Sequence, residues 1–384
     1  MKILGIETSC DETAAAVVED GRKLLSNVIQ TQIDIHVQYG GVVPEVAARS
    51  HIEVINPVIN RALSDAGCTW EDIDAIAVTY APGLVGSLLI GTLAARTLAA
   101  IHDKPLYAIH HVEAHVYANF LTELGWSLNH PTTQLLPAQS GANGATGGTV
   151  PQTNLVLPSK QPEFPILALI VSGGHSQLVL FHDHGDFELL GQTQDDAVGE
   201  AFDKVAKIIG LPYPGGPSIA KAALHGDPHK YPLPKAKLQG AYDFSFSGLK
   251  TALLRAVQRE TGHDYTFPSH ALHMLLDDAM RANFAASFQQ IAVETLVDKT
   301  ERAFRNCAPA SVVIAGGVAA NQELRRQLQE RLPLKIEYAP MQLCTDNGAM
   351  IATLAYYYAQ KKDPVSPYDL EVVPSLSMTK TTWA

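Results

Sequence analysis

The sequence predicts an α/β protein with more than one domain. Residues 3–18 and 166–180 each read as a strand, a polar turn and a second strand, which is typical of a hairpin. A buried run at 312–315 leads through Gly316 and Gly317 to a helix predicted from Gln322. Residues 86–102 and 284–306 repeat apolar side chains every three or four positions, as helices do. Strands that alternate with helices indicate α/β layers.

The turns of the two predicted hairpins have a similar chemistry. The first reads Thr-Ser-Cys-Asp-Glu-Thr at residues 8–13, and the second reads Ser-Gly-Gly-His-Ser at residues 172–176. Such turns can present backbone N–H groups to an anion, although two unrelated hairpins give the same pattern. The pair Gly316-Gly317 would let a ligand approach the backbone closely, but it is also an ordinary turn. Neither a GxGxxG fingerprint nor a complete P-loop is present in the sequence.

Length and charge limit the classes of protein that fit. A chain of 384 residues suggests two or three domains, and 46% hydrophobic residues are enough for sizeable cores. The formal net charge is −11. Because an acidic protein repels nucleic acid on average, an RNA partner would need a local basic patch or a helper subunit.

Cysteine usage and hydropathy predict a cytoplasmic protein without a membrane segment. The chain begins with an apolar run that Glu7 interrupts too early for a signal peptide. The uncharged stretch at 84–95 is shorter than the roughly 20 residues that a membrane span needs. The cysteines form no CxxC pair, which is typical of a reducing compartment and excludes a zinc ribbon; they are Cys10, Cys68, Cys307 and Cys344.

Residues 129–159 differ from the rest of the chain in composition. The segment contains no Asp, Glu, Lys or Arg and is rich in Gly, Pro, Gln, Thr and Ala. Such a composition buries too little apolar surface to offset chain entropy. We therefore expect a flexible loop or insertion here, and because it separates the two predicted hairpins it marks a domain boundary.

A histidine pair gives a candidate metal site. His111 and His115 are four positions apart, so in a helix their Cβ atoms would lie roughly 5–6 Å apart on one face. A surface or packing pair has the same spacing. Glu113 falls on nearly the opposite side of such a helix, so the HExxH and HxxEH arrangements of metallopeptidases are absent and a peptidase lacks its base. Asp346 precedes an apolar helical run, where it is either a helix N-cap or a further ligand.

Ordered short blocks of the chain resemble one family. The blocks together span most of residues 1–360, and they are GIETSCDET at 5–13, GVVPEVAARSH at 41–51, APGL at 81–84, HVEAH at 111–115, VSGGH at 171–175, GEAFDK at 199–204, FSFSGLKT at 244–251 and CTDN at 344–347. The set resembles the bacterial TsaD family, formerly called O-sialoglycoprotein endopeptidases. Three features depart from the family pattern: the insertion at 129–159, the tail after Lys362, and Ala220, where some relatives carry Asp.

The resemblance implies a two-lobed actin/Hsp70/sugar-kinase fold with a nucleotide cleft between the lobes. Applied to this chain, it gives a division into five parts: an N-terminal lobe at 1–128, a linker at 129–163, a C-terminal lobe at 164–345, a helix at 346–362 that returns to the first lobe, and a tail at 363–384.

The resemblance also implies a set of site residues. One divalent metal, iron(II) first and zinc as the alternative, would be bound by His111, His115 and Asp346. The nucleotide-bearing substrate would be bound by Ile170, Val171, Ser172, Gly173, Gly174, Asp203, Gly216 and Asn321.

The implied reaction is transfer of a threonylcarbamoyl group from threonylcarbamoyl-AMP to a tRNA. The acceptor would be N6 of the adenosine 3′ to the anticodon in tRNAs that read codons beginning with A. We expect Asp11 or Glu12 to accept the proton of that amine, although capping or solvation of the hairpin explains both residues equally well. Expected partners are a TsaB-type paralogue and a TsaE-type ATPase, with the basic run at 229–237 either contacting tRNA or forming a solvated linker. The alternatives are an ATP-dependent phosphotransferase of the same fold, a non-catalytic nucleotide-sensing scaffold and, less well supported, a metallopeptidase.

Overall fold

The computed structural model describes residues 1–124, 133–136 and 155–380. The chain divides into two compact units: unit 1 contains Met1–Pro162 and Glu337–Ala384, and unit 2 contains Glu163–Ile336. The chain thus re-enters unit 1 at Glu337, before the returning segment that was expected to begin at Asp346.

Strands and helices alternate along the described chain, as the α/β prediction requires. The strands are β1 (Lys2–Glu7), β2 (Glu12–Glu19), β3 (Lys23–Thr31), β4 (Ala75–Ala81), β5 (Leu106–His110), β6 (Glu123–Leu124), β7 (Thr133–Leu136), β8 (Ile166–Val171), β9 (Ser176–Asp183), β10 (Asp186–Gln192) and β11 (Ser311–Ala315). The α-helices are α1 (Ile33–Val37), α2 (Pro44–Asp65), α3 (Val85–His102), α4 (His111–Tyr117), α5 (Val198–Ile209), α6 (Gly215–Ala223), α7 (Ser247–Glu260), α8 (Asp278–Cys307), α9 (Gln322–Arg331), α10 (Met341–Cys344) and α11 (Gly348–Ala359).

Unit 1 is built on a mixed sheet with the strand order β5-β4-β1-β2-β3-β6, in which β7 also pairs with β3. The first predicted hairpin is the antiparallel pair β1–β2, in which Glu7 lies opposite Ala14. Strands β4 and β5 continue the sheet parallel to β1. Leu4 and Ile6 are fully buried in the core beneath α2, while α11 packs on β1 and β2. The middle of the sheet is therefore covered by helices.

Helix α11 approaches the sheet backbone to backbone. A Cβ on Gly5 would lie 2.3 Å from the carbonyl oxygen of Gly348, and a Cβ on Gly348 would lie 2.6 Å from the amide nitrogen of Ala16. Neither position can carry a side chain without displacing backbone. This close approach places the residues before α11, including Asp346, at the end of β1.

Unit 2 has a smaller sheet with the order β10-β9-β8-β11. The second predicted hairpin is β8–β9, with Val171 opposite Ser176, and β11 runs parallel to β8. Helix α8 begins before the predicted start at residue 284, because the Asp277 side chain accepts a 2.7 Å hydrogen bond from the amide of Met280 and caps the helix there.

The predicted insertion at 129–159 lies mostly outside the described residues. Within it, Thr133–Leu136 form β7, which runs parallel to β3, and Leu155 is buried. Ser159 donates a 2.9 Å hydrogen bond from its amide to Glu337. These described parts of the segment are attached to unit 1, and the expectation of a loop fails for residues 133–136, because the sheet offers β3 as a pairing edge.

In the described part of the chain, α3 is the one helix long and apolar enough to cross a membrane, judged by length and composition alone. In unit 1 it packs against α2 and β4. Its inner face, which includes Leu88, Ala95 and Ala99, is buried, so these residues form part of the core of unit 1.

Candidate active site

Helix α4 brings the two predicted metal ligands together. Strand β5 ends at His110 and α4 begins at His111. Because His111 and His115 are one helical turn apart, their ring centroids lie 4.6 Å from each other, with an interplanar angle of 74°. Both imidazoles are buried.

Asp346 completes the group. Its Oδ1 lies 3.5 Å from Nε2 of His111 and 3.4 Å from Nε2 of His115, and one ligand atom from each residue lies within 4.8 Å of the others. Two imidazole nitrogens and a carboxylate oxygen are a donor set that zinc or iron accepts. The residues present therefore fit one metal ion.

The alternative role considered for Asp346, an N-cap of α11, is wrong. Asn347 caps that helix, and its side chain accepts a 3.0 Å hydrogen bond from the amide of Met350. The cap stands one residue later than the sequence pattern suggested. The Asp346 carboxylate therefore faces His111 and His115.

A buried carboxylate lies behind the first histidine. Glu7 places Oε2 3.1 Å from Nδ1 of His111, and it also accepts hydrogen bonds from the hydroxyl of Thr79 and the amide of Ser9. Burial alone would raise the pKa of Glu7, but the charge of His111 and these hydrogen bonds bring it to about 2. Burial alone would lower the pKa of His111, but the charges of Glu7 and Asp346 raise it to about 9. With Nδ1–H donated to Glu7, Nε2 of His111 is the nitrogen that can bind an ion, which would displace the second ring proton.

The turn between β1 and β2 lies beside these ligands. Burial, followed by the charges of Asp11 and Asp346, raises the pKa of Glu12 well above its ordinary value. The same influences raise the pKa of the Cys10 thiol, so Cys10 stays protonated and is a poor nucleophile. Asp11 in the turn and Glu12 at the start of β2 are thus two carboxyl groups close to Asp346.

Sequence reasoning missed a buried histidine that supports this turn. His51 in α2 places Nδ1 2.7 Å from the hydroxyl of Thr13 and donates from Nε2 to the carbonyl of Cys10 at 3.0 Å. Burial lowers the pKa of His51, so the ring stays neutral and can accept from Thr13 while it donates to Cys10. Ser87 donates to the same carbonyl at 3.0 Å.

In unit 2 the predicted substrate-binding turn follows β8. Ile170 and Val171 are fully buried in the strand. The amide of Ser172 donates to the carbonyl of His175 at 2.8 Å, and this bond closes the turn. Open space surrounds the positions where Cβ atoms would stand on Gly173 and Gly174, so a ligand can approach their backbone.

Two further glycines fit closely around that turn. Gly316 has a φ of +88°, and a Cβ there would lie 2.4 Å from the carbonyl oxygen of Val171. A Cβ on Gly199 would lie 2.6 Å from the carbonyl oxygen of Ser172. Only glycine fits at Gly316 without strain, because its conformation is left-handed and the space is filled. The segment after β11 and the start of α5 therefore both meet the hairpin turn.

The remaining predicted substrate residues lie within α5, at the start of α6 and at the start of α9, and two of them form hydrogen bonds within the protein. Asp203 accepts a 2.7 Å hydrogen bond from the amide of Gly215, next to Gly216, whose Cβ position is open. Asn321 caps α9 and donates to Gln289 at 3.0 Å. These contacts fix the orientations of Asp203 and Asn321 before any ligand binds.

The structure corrects the basic run that was considered for tRNA contact. Tyr231, the aromatic residue within the run that could have stacked on a base, is buried against Phe284 with ring centroids 3.8 Å apart. Lys235 forms ion pairs with Glu294 at 2.8 Å and Asp298 at 2.7 Å. Tyr231 is therefore not available for stacking, and the charge of Lys235, which is exposed, is already compensated by two carboxylates. A run read from sequence does not reveal which of its members fold inward or form ion pairs.

The comparisons with known proteins agree on one family. A profile of the TsaD family, described as tRNA N6-adenosine threonylcarbamoyltransferase, matches residues 23–146 and 149–353. The enzyme of that name from Thermomicrobium roseum is 50% identical over 368 residues, which cover 94% of this chain and 93% of that protein. The enzyme of that name from Symbiobacterium thermophilum is 47% identical over 379 residues, which cover 98% and 96%. The chain belongs to the TsaD family.

The fold class is likewise confirmed. Full-length HypF, in its phosphate- and nucleotide-bound form, matches with a TM-score of 0.51 at 14% identity, over 93% of this chain and 46% of that one. This likeness shows the fold alone, and the fold is the predicted actin/Hsp70/sugar-kinase class. The predicted family and its acyltransferase class are confirmed by the TsaD relatives.

Proposed function

We propose that this TsaD-family chain transfers the threonylcarbamoyl group of threonylcarbamoyl-AMP to N6 of the adenosine 3′ to the anticodon, in tRNAs that read codons beginning with A. The relatives named as tRNA N6-adenosine threonylcarbamoyltransferases match nearly the whole chain. The observation that carries the proposal is the convergence of His111, His115 and Asp346 beside the β1–β2 turn. A phosphotransferase of the same fold has no use for this ligand group.

His111, His115 and Asp346 would hold one divalent ion, iron(II) first and zinc as the alternative. Bound there, the ion supplies a Lewis acid that polarises a carbonyl oxygen, an effect worth several kcal/mol of transition-state stabilisation. Glu7 would orient the His111 ring through Nδ1.

The chain's own residues have the groups that the transfer needs. The N6 amine attacks the carbamoyl carbon, a C–N bond forms, the C–O bond to the phosphate breaks, and AMP leaves. The proton lost by the amine would pass to Asp11 or Glu12 in the β1–β2 turn. Because the pKa of Glu12 is raised, its carboxylate, once ionised, would be a stronger base than an ordinary carboxylate.

The substrate nucleotide would be held in unit 2. The end of β8, at Ile170 and Val171, would lead into the phosphate site, and backbone groups of the β8–β9 turn at Ser172, Gly173 and Gly174 would bind the phosphate. Asp203 is suited to ribose hydroxyls, and Gly216 and Asn321 would flank the adenine. The open space at Gly173, Gly174 and Gly216 supports this assignment.

Helper proteins complete the proposal. A net charge of −11 disfavours tRNA binding by this chain alone. We therefore expect a TsaB-type paralogue and a TsaE-type ATPase as partners, acting with this chain in the cytoplasm.

A single assay tests the reaction. The purified chain is incubated with the two partners, tRNA and threonylcarbamoyl-AMP, and digested nucleosides are analysed by mass alongside the nucleotides released. We expect the threonylcarbamoyl mass on adenosine together with AMP. Release of ADP from added ATP by this chain alone, with a phosphorylated acceptor in place of free phosphate and with unmodified tRNA, would instead establish a phosphotransferase.

A further inference from the structure

The C-terminal segment at 365–378, which we call the strap, runs over unit 1 after α11. The family profile ends at residue 353, so it does not cover the strap. The amide of Val365 donates to the carbonyl of Leu106 in β5 at 2.8 Å, and the amide of Val373 donates to the carbonyl of Tyr80 in β4 at 3.0 Å. The strap therefore follows the two strands that lead to α3 and α4.

One arginine anchors the first half of the strap. The guanidinium of Arg96 in α3 donates to the carbonyls of Tyr368 at 2.8 Å and Leu370 at 3.2 Å, and also to that of Pro367. A planar guanidinium has its donors in a fixed fork, so Arg96 sets the path of this stretch of backbone. In the described part of the chain Arg96 contacts none of the three metal-ligand candidates.

The second half of the strap reaches the start of the ligand helix. Nε2 of His110 lies 3.1 Å from the carbonyl oxygen of Leu376, and Nδ1 of the same ring accepts from the amide of Glu113 at 3.5 Å. A carbonyl can only accept, so Nε2 carries the proton and Nδ1 is free to cap α4. Both contacts therefore need the ring in this one tautomer.

A second contact of the strap leads towards the same site. The carbonyl of Pro374 accepts from the amide of Gly83 at 3.0 Å, and the next amide, of Leu84, donates to the carbonyl of Ser9 at 2.8 Å. The hydroxyl of Ser9 lies 3.2 Å from Nδ1 of His111. The strap thus supports both backbone segments that flank His111.

We propose that His110 is a positioning residue through which the strap at 365–378 orients the metal-binding face of α4. This inference rests on the metal site of the proposed function. Helix α4 has only seven residues, so its direction depends on how its ends are held. His110 joins the strap to the first turn of α4, next to His111.

Cobalt(II) binding to the full-length protein tests the proposal, because the visible spectrum of Co²⁺ reports both affinity and ligand geometry. His110→Gln keeps an amide donor that can reach Leu376. His110→Asn is too short for Leu376 but keeps a good helix cap. Arg96→Ala releases the strap without touching α4. The control is Arg61→Ala, since among the described residues Arg61 forms an ion pair with Asp65 alone, within α2.

We expect His110→Asn and Arg96→Ala each to weaken Co²⁺ binding at least about tenfold, as is typical when a residue that orients a metal ligand is lost. Both variants should also alter the visible bands of bound Co²⁺. His110→Gln should stay within about threefold of the wild type, as should Arg61→Ala. Wild-type affinity and spectrum in both His110→Asn and Arg96→Ala would overturn the proposal.

Hydrogen exchange in metal-free protein separates this inference from the metal assignment. Amides of α4 should exchange faster in Arg96→Ala than in the wild type, while the β8–β9 amides of unit 2 should not change. If the wild type binds no Co²⁺, the metal assignment is wrong and the exchange comparison still decides the role of the strap. Unchanged exchange in α4 would show that the strap does not hold this helix.

Discussion

Oε2 of Glu7 lies 3.1 Å from Nδ1 of His111, at the end of a strand in which residues 3–6 are apolar and buried. The carboxylate is fully buried, and its neighbours are hydrogen-bond donors from Ser9 and Thr79 as well as His111. A buried charge is kept only where such partners offset its desolvation. Glu7 therefore fixes which ring nitrogen of His111 faces Asp346.

Replacing that carboxylate should weaken metal binding. Glu7→Gln puts an amide NH₂ among three donors, so His111 loses its acceptor and its fixed orientation. We expect Co²⁺ or Zn²⁺ affinity to fall by about ten- to a hundredfold, measured by calorimetry. Glu163→Gln, at an exposed position in unit 2, serves as the control. Equal affinities in the two variants would contradict the role given to Glu7.

The metal ligands themselves separate the transferase from a phosphotransferase. His115→Ala should lower metal content to near zero and reduce threonylcarbamoyl transfer by orders of magnitude, because a Lewis acid acts mainly in the transition state. Adenine-nucleotide affinity should persist, since Asp203 and Asn321 are unchanged. Metal content by atomic absorption, nucleotide affinity by calorimetry and transfer by nucleoside mass are measured on one preparation, with His102→Ala as the control. Full transfer by a metal-free variant would refute the mechanism.

Features that depend on residues close together in the sequence were predictable from it. Alternating apolar residues around small polar turns gave both hairpins, and the four-residue spacing of His111 and His115 gave one helix face. The family resemblance added Asp346, which spacing alone could not place beside them.

Contacts between distant parts of the chain were not predictable. Glu7 and His111 are 104 residues apart, and His110 and Leu376 are 266 residues apart. No local pattern links such pairs, because the sheet order brings them together. Even so, the charge of Glu7 at the end of a buried strand was a signal that could have been read, since an acid in that position needs a partner.

A carboxylate in unit 2 gives a pH-dependent prediction. Burial alone would raise the pKa of Asp196, but hydrogen bonds from Lys204 and Lys250 lower it from 3.8 to about 2. An acid whose pKa is lower in the folded state than in the unfolded state stabilises the fold at pH values above its unfolded-state pKa. This stabilisation is lost as the pH falls through the folded-state pKa. Asp196→Asn should therefore lower the melting temperature by roughly 2–4 °C at pH 7. Calorimetric scans should show this difference shrinking between about pH 4 and pH 2; a difference independent of pH would contradict the prediction.

The uncharged segment at 129–159 can be shortened only where the structure shows no pairing or burial. Residues 133–136 pair with β3 and residue 155 is buried, so a deletion should spare both. Removal of residues 137–154, which contain no charged residue, should leave transfer activity within a few-fold, since their composition gives little core. Soluble yield and transfer rate are compared with the full chain. A deletion protein that is insoluble would show that these residues contribute to the core.

Two exposed lysines provide the test of tRNA contact. Lys230 and Lys237 are exposed and form no ion pair in the described part of the chain, whereas Lys235 lies between Glu294 and Asp298. A lysine that neutralises a phosphate releases counterions, so each contact adds about one unit to the log–log dependence of affinity on salt. Changing Lys230 and Lys237 together to Ala should lower that slope by about one to two units and weaken tRNA binding. Lys235→Ala is the matched control and should leave the slope unchanged, because its charge is already compensated.

Binding of the complex to tRNA is titrated by fluorescence anisotropy at several salt concentrations. A double variant with the wild-type slope would show that this run faces solvent.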